Sequence, residues 1–274
     1  MNLAANSQWQ LPGGYSLELP EVELSEASLQ SLYFFQALDR PDRCQVRLSV
    51  TRCTTSLPFS ERAQIRLRAQ GRLCFAGTVA DSRLGFDARE GGWVELTAYA
   101  DFHYRRLLTG GWLYQLTDAE LARRLAGDIG LVPVVDKTKT IHARVRVAGD
   151  ALALLRERAK RCGYKMGVTA GKLLFCRSWP LRAPPKEMEH GCDVLGLECR
   201  SRGNRKFGTF TVVGGGAWQP LSTFRIHDLA ESLPRGGYVT RALHLLDTNG
   251  YRTRVQFREP EPQDAMVAQI EETA

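Results

Sequence analysis

The chain has no apolar run approaching the roughly 20 residues a membrane helix needs. Its opening stretch, MNLAANSQWQLPGGY, has no positive cluster ahead of an apolar core. Neither a secretory leader nor membrane contact of the free protein is therefore expected. No CxxC pair occurs, and an odd count of seven cysteines argues against a secreted disulfide framework. The sequence also lacks a GxSxG elbow, an HExxH helix and a phosphate loop, since Gly214-Gly215-Gly216 is not followed by Lys and Ser or Thr. The five histidines, His103, His142, His190, His227 and His244, are widely separated. Glu90, Glu95 and Asp101 are the nearest thing to a carboxylate set for cutting cell-wall sugars, but carboxylates on strands are more often solvated. No nucleophile, base and orienting group come together, so no catalytic residue and no cofactor are assigned.

Lysine is scarce as well, and the basic residues behind the net charge of +7 are overwhelmingly arginine. A nucleic-acid binder gathers such charge in one stripe with interleaved aromatics. Here arginines are spread through every segment, often alternating with apolar residues, as in Gln64-Ile65-Arg66-Leu67-Arg68. A basic protein surface or channel wall is the favoured reading, because the guanidinium fork suits protein interfaces and carboxylate partners. Cys162, Cys176, Cys192 and Cys199, with His190, are close enough in sequence for a fold to gather them around a metal or cluster. Their spacing matches no standard ligand pattern, so no metal is assigned and buried, reduced thiols are the simpler reading.

A hydrophobic fraction of 43% and 274 residues suit one large domain or two to three small ones. The first third reads as β. Cys44, Val46, Leu48 and Val50 alternate with polar residues, Ile65 and Leu67 continue to a turn at Gln70-Gly71-Arg72, and residues 73–79 return. Beyond a turn at Glu90-Gly91-Gly92, Val94, Leu96 and Ala98 share one strand face. Short strands with glycine turns indicate a sandwich or barrel. In the middle, Thr117-x-x-Glu120 is a capping box, with Leu116 and Leu121 as a hydrophobic staple. Leu121, Leu125 and Ile129 make one helical face, and Gly130 stands at the C-terminal cap. Residues 141–147 alternate again, with His142, Arg144 and Arg146 on one side and Ala143, Val145 and Val147 on the other. Asp150 caps a second helix with Leu152, Leu155, Ala159 and Cys162 inward; Lys160 and Arg161 suit its C-terminal dipole, and Gly163 ends it. A hairpin follows, turning at Ala170-Gly171. Trp112-Leu113-Tyr114 is expected in the core. Residues 179–185, WPLRAPP, cannot continue a helix or central strand and are expected to connect domains. Strands return at 194–199, 207–213, 238–246 and 251–257, the last two around Asn249-Gly250. The stretch after Arg258 is expected to be a linker with at most a short helix.

The run Phe75-Ala76-Gly77-Thr78-Val79, then Val94-Glu95-Leu96-Thr97-Ala98-Tyr99 and Asp101-Phe102-His103, resembles the late-control D family. That family takes in phage tail hubs and the N-terminal part of the VgrG spike of type VI secretion. The match continues through Leu116–Leu121 with Gly130-Leu131, and through Leu152-x-x-Leu155-x-x-x-Ala159-x-x-x-Gly163 with Gly171-Lys172-Leu173-x-Phe175. It closes on Ala242-Leu243-His244 and Asn249-Gly250-Tyr251-Arg252-Thr253, so that it spans about residues 60 to 257.

The resemblance implies a mainly β fold with an α+β insertion: tail-tube-like β-barrel domains and two short capped helices. The expected divisions are 1–108 for a first barrel, 109–187 for the α+β segment, 188–258 for the β region that completes the barrels, and 259–274 for a tail. It implies a structural baseplate hub, a homotrimer that joins the tail tube or a tube-initiator protein to a three-fold central spike. The hub would also meet the tape-measure protein and form part of the channel that DNA passes. Its place would be the virion tail baseplate, after assembly in the cytoplasm of a bacterial host. No needle-like domain follows Phe257, so a separate spike protein is expected, and the chain is short for a hub. His142, Arg144 and Arg146 are the candidate interface residues. Two rival readings are a muralytic baseplate enzyme and a basic nucleic-acid-binding module.

Overall fold

A computed structural model describes residues 7–11, 14–19, 27–50, 63–87, 91–203, 205–214, 218–230, 233–248, 250–261, 264 and 266–268. Glu90, Gly215, Gly216 and Asn249, named above, lie outside them, as do Cys53, one of the seven cysteines, and the chain beyond residue 268. In order, the elements are β1 Ser7–Leu11, β2 Tyr15–Leu19, β3 Ala27–Ala37, β4 Arg40–Val50, β5 Gln64–Ala69, β6 Arg72–Asp87 and β7 Gly91–Ala100. Then come α1 Phe102–Arg105, β8 Leu107–Thr117, α2 Asp118–Ile129, β9 Val132–Val135, β10 Ile141–Asp150, α3 Ala151–Cys162, β11 Lys165–Thr169 and β12 Lys172–Cys176. The last are β13 Leu181–Glu189, β14 Val194–Arg202, β15 Arg205–Val213, β16 Ser222–His227, β17 Gly236–Asp247, β18 Gly250–Arg258 and β19 Met266–Ala268.

The backbone of the molecule is an antiparallel run of strands in the order β14-β15-β18-β17-β3-β4-β7-β6. Its two halves have matching wiring. On one side the hairpin β3-β4 lies beside the hairpin β6-β7; on the other, β17-β18 lies beside β14-β15. The halves join where β17 pairs with β3, from Arg241↔Ala37 to Leu246↔Leu32. This is an internal repeat with no counterpart in the sequence. Each half curls further: β6 is followed by β5, β2 and β1, while the start of β17 pairs with β16, which leads to β13 and β19.

Alternation explains why these strands form where they do. Cys44, Val46 and Leu48 of β4 and Val94, Leu96 and Ala98 of β7 are buried on one face, as their period of two requires. They share a core with Leu121, Leu125 and Ile129 of α2 and Leu152, Leu155 and Ala159 of α3. A second core, around Phe210, Phe224, Val239, Val255 and Phe257, fills the other half. Leu38, Leu174, Trp179, Leu181, Leu221 and Tyr238 form a third, smaller cluster with residues from both halves. Each large apolar side chain buried this way contributes about 1.5–3 kcal/mol.

Both helices start and stop as the sequence indicates. The Thr117 Oγ1 accepts the Glu120 N–H at 3.2 Å and the Glu120 carboxylate accepts the Thr117 N–H at 2.7 Å. These hydrogen bonds, backbone first, hold the Glu120 carboxyl below its ordinary pKa. Asp150 Oδ1 accepts from the N–H groups of Leu152 and Ala153. Gly130 and Gly163 end the helices at φ 81° and 70°, a region open to glycine at little cost.

Three expectations are overturned. The proline run, read as unable to continue a central strand, lies in β13, whose pairing with β16 breaks register between Arg182 and Lys186. That break steps over Pro184 and Pro185, which have no N–H to give the ladder. The described residues after Arg258 are not a free linker. Met266–Ala268 pairs in parallel with Leu181–Ala183, and Asp264 takes Lys165 Nζ at 2.5 Å and the Trp179 N–H at 2.9 Å. Third, Trp112 and Tyr114 are not core: they are 49% and 65% exposed. Their strand, β8, pairs only with β10 among the described residues, so it has one covered face and no sheet behind the other.

Asp264 is the anchor of that closing segment. Burial pushes its pKa up, but Lys165 and the N–H groups of Glu261 and Trp179 outweigh burial and hold it below the ordinary value. Its side chain is fully covered and the Lys165 ammonium nearly so. Asp264→Ala leaves that ammonium with Glu261 alone and is expected to cost about 3 kcal/mol, read from urea denaturation at pH 7. Because the folded pKa lies below the unfolded one, the wild type should also lose this contribution as pH falls below about 4, the ordinary range of the unfolded carboxyl, whereas Asp264→Ala should not.

Candidate functional site

Ladder partners share a sheet face, so the register shows what the long sheet carries on the side away from its cores. Arg43 and Arg47 of β4, Arg83 of β6, Arg200 of β14, Arg241 of β17 and Arg252, Arg254 and Arg258 of β18 all fall there. Glu95 is set between Arg47 and Arg83 in neighbouring strands. Asp247 holds Arg252 at 2.8 Å, and Arg47 lies over the Trp93 ring at 4.6 Å. Arginines scattered in the sequence are thus gathered onto one face, because each occupies the outward position of an alternating strand.

Among the described residues the sheet has two open edges: β14 pairs only with β15, apart from one bridge from Val194 to His190, and beyond Val79 β6 pairs only with β7. Leu84 and Phe86, on that unpaired stretch of β6, are 37% and 72% exposed, and Leu195 on β14 is 61% exposed. Unpaired edges with apolar side chains are templates for another strand.

The expected interface residues sit on the β8-β10 ribbon and have different neighbours. His142 Nε2 is 2.9 Å from Asp118 Oδ2, which also receives the Cys162 thiol, so the imidazole faces the start of α2. Arg144 stands over the Trp112 ring at 5.0 Å, and Arg146 lies opposite Trp112 in register. Sequence reasoning missed that Trp112 and Tyr114 share this face. The signal was available in Gly110-Gly111, small residues that leave the strand beside them uncovered.

The titratable groups inside the molecule have structural partners. His244 is 2% exposed and stacked on Phe34 at 5.6 Å. Its Nε2 is 3.0 Å from the Trp218 carbonyl, so that nitrogen carries the proton, and Nδ1, the acceptor, lies 3.0 Å from the Tyr251 hydroxyl and 3.1 Å from that of Thr253. Burial pushes its pKa down to about 4, against the opposing bond to Trp218. His103 stacks on Tyr99 at 4.5 Å, as a packed turn would have it. Burial raises the thiols of Cys162 and Cys176 to about 11 and about 12. Cys162 bonds Asp118, Cys192 is exposed in a turn and Cys199 lies on β14. Among the described residues no three His, Cys, Asp or Glu side chains converge as a metal-binding set. Glu95 and Asp101 are held apart in role, Glu95 on the arginine face and Asp101 bonded to Thr78 Oγ1 at 2.9 Å.

In its fold the chain is similar to the 43 kDa tail protein of prophage MuSo2 from Shewanella oneidensis, with a TM-score of 0.68 at 12% identity over 88% of this chain and 96% of that one. A tail protein from Neisseria meningitidis superposes with a TM-score of 0.66 at 12% identity, over 90% of this chain and 97% of that one. The Escherichia coli c3393 protein, a type VI secretion component similar to the T4 tail proteins gp27 and gp5, gives a TM-score of 0.67 at 10% identity over 92% and 79%. No family model matches the sequence, and no curated protein matches it. The fold is therefore one that phage tail proteins and a type VI secretion component share: mainly β, with few short helices, as the sequence leads one to expect.

Two outcomes check this description. Trp112→Ala and Tyr114→Ala should each change the unfolding free energy by less than about 1 kcal/mol, where a core aromatic costs about 3–5 kcal/mol. For His244 the neutral form is favoured in the fold, so the unfolded chain gains the proton first as pH falls. Stability should drop between pH 6.5 and about 4, by at most about 3 kcal/mol, with the drop absent in His244→Gln. Urea midpoints across that range read both.

Proposed function

We propose that this protein is a structural component of a phage or phage-like tail, the hub that joins the tail tube to a three-fold central spike. The observation that carries the reading is the extent of the likeness: it runs through 88–90% of this chain and 96–97% of the two tail proteins. Physical chemistry supports the hub in particular. A long sheet with two open edges is incomplete alone, and three copies joined β14 to β6 close it into one barrel with no edge left. The two larger cores lie on the other side of the sheet, so the part of the arginine face that the α+β segment leaves uncovered turns to the lumen. There it meets the tape-measure protein and the DNA that passes. The tube or tube-initiator protein sits on one end of the ring and the spike on the other. The protein performs no turnover, and its place is the baseplate of the tail, after assembly in the host cytoplasm.

Light scattering on the purified protein, alone and with the neighbouring spike protein, tests this. A trimer, or a three-to-three complex with spike, is the expected result; a monomer indifferent to both overturns it. Leu84→Lys with Phe86→Lys, which places charge on the open edge, should give a folded monomer. Clearing of a peptidoglycan gel by the pure protein would instead favour a muralytic enzyme.

A further inference from the structure

Between the arginine face and the α+β segment lies a cleft of about 560 Å³. Met166 of β11 and Trp179 form one wall, and β14, β15, β18 and the start of β17 form the floor. In register across that floor run Arg200, Phe207, Arg258 and Tyr238, one residue from each strand. Phe207 is 36% exposed between the two arginines. Arg241 is committed to Asp39 at 2.6 Å. Among the described residues Arg200, Arg254 and Arg258 have no carboxylate partner, although all three line the same cleft.

We propose that this cleft is a binding site for an extended acidic peptide segment of a partner protein, with its carboxylates on Arg200 and Arg258 and an apolar side chain on Phe207. The guanidinium fork matches a carboxylate through two parallel hydrogen bonds. Strand spacing sets Arg200 and Arg258 roughly 10 Å apart, about three residues of extended chain. A continuous phosphate backbone fits less well, because the Glu198 carboxylate also lines the cleft and repels an unbroken run of negative charge. Separate carboxylates can be spaced to avoid it. The inference rests on the cleft alone and holds whether or not the protein forms a ring.

The test is to pan a displayed library of random 12-residue peptides on the full chain, then to measure the enriched peptides by fluorescence anisotropy. Wild type is compared with Arg200→Glu/Arg258→Glu, and a 12-nucleotide single strand serves as the competing probe. Both arginines are exposed, so the double variant should keep the wild-type unfolding midpoint, and Phe207→Ala provides an independent second variant. The expected result is enrichment of Asp and Glu, with affinity at least tenfold weaker in the double variant and several-fold weaker in Phe207→Ala. Enrichment without an acidic bias, binding unchanged in both variants, or tight binding of the single strand alone would each overturn the proposal. Trimer formation by the same sample reports separately on the hub reading.

Discussion

The pairing of β3 with β17 is the contact on which the rest of the structure depends. It joins strands about two hundred residues apart, and it alone turns two four-stranded sheets into one. Its centre is the pair Phe34↔His244, rings stacked and both buried, with His244 tied by hydrogen bonds to Trp218, Tyr251 and Thr253. A neutral imidazole is what this position demands, since a charged one would lie far from water. Separation of the two strands would open two more edges and expose the first core along Leu32, Phe34 and Leu246, so the joint is both the mechanical and the energetic centre.

How much of this was legible in the sequence depended on the range of each interaction. The caps at Thr117, Gly130, Asp150 and Gly163 involve neighbours within four residues, and each forms as expected. Strands with clean alternation, such as Cys44–Leu48 and Val94–Ala98, were equally plain. The β3–β17 joint was not, because no local pattern says which distant strand a given edge will meet. The WPLRAPP segment misled for a different reason. Proline excludes a regular ladder, but a register break lets a strand carry it. Trp112 and Tyr114 misled because aromatic residues are read as core by default, whereas a two-stranded ribbon buries only one face. In the closing segment, the buried Lys165–Asp264 ion pair and the pairing of β19 with β13 order chain that composition alone assigns to a linker.

The arginines make the same point on a larger scale. Read along the chain they show no stripe, and the usual signature of a polyanion-binding surface is absent. The fold supplies the stripe instead, since period two places every second residue of eight strands on one plane. Scattered charge in an alternating β protein is therefore no argument against a charged face. The candidate interface of His142, Arg144 and Arg146 shows the converse. Three residues on one strand face divide, with His142 drawn to Asp118 and Arg144 to Trp112, because neighbouring elements decide what each side chain meets.

A sheet that ends in two unpaired edges presents a protein with a choice between protection and use. Natural edge strands are usually blunted by lysine, proline or inward charge. Lysine is scarce here, and β6 ends instead in Leu84 and Phe86, exposed on a stretch with no second partner among the described residues. Edges like these invite pairing, and an open-ended array of copies would follow unless the geometry closes. Closure in turn needs a fixed angle between the two edges of one copy. The β3–β17 joint holds that angle, reinforced by the third cluster, with Leu38, Trp179 and Tyr238, and by the Asp264 anchor. In the ring proposed above, rigidity at the centre of the molecule is what would set a definite size in place of an indefinite fibre.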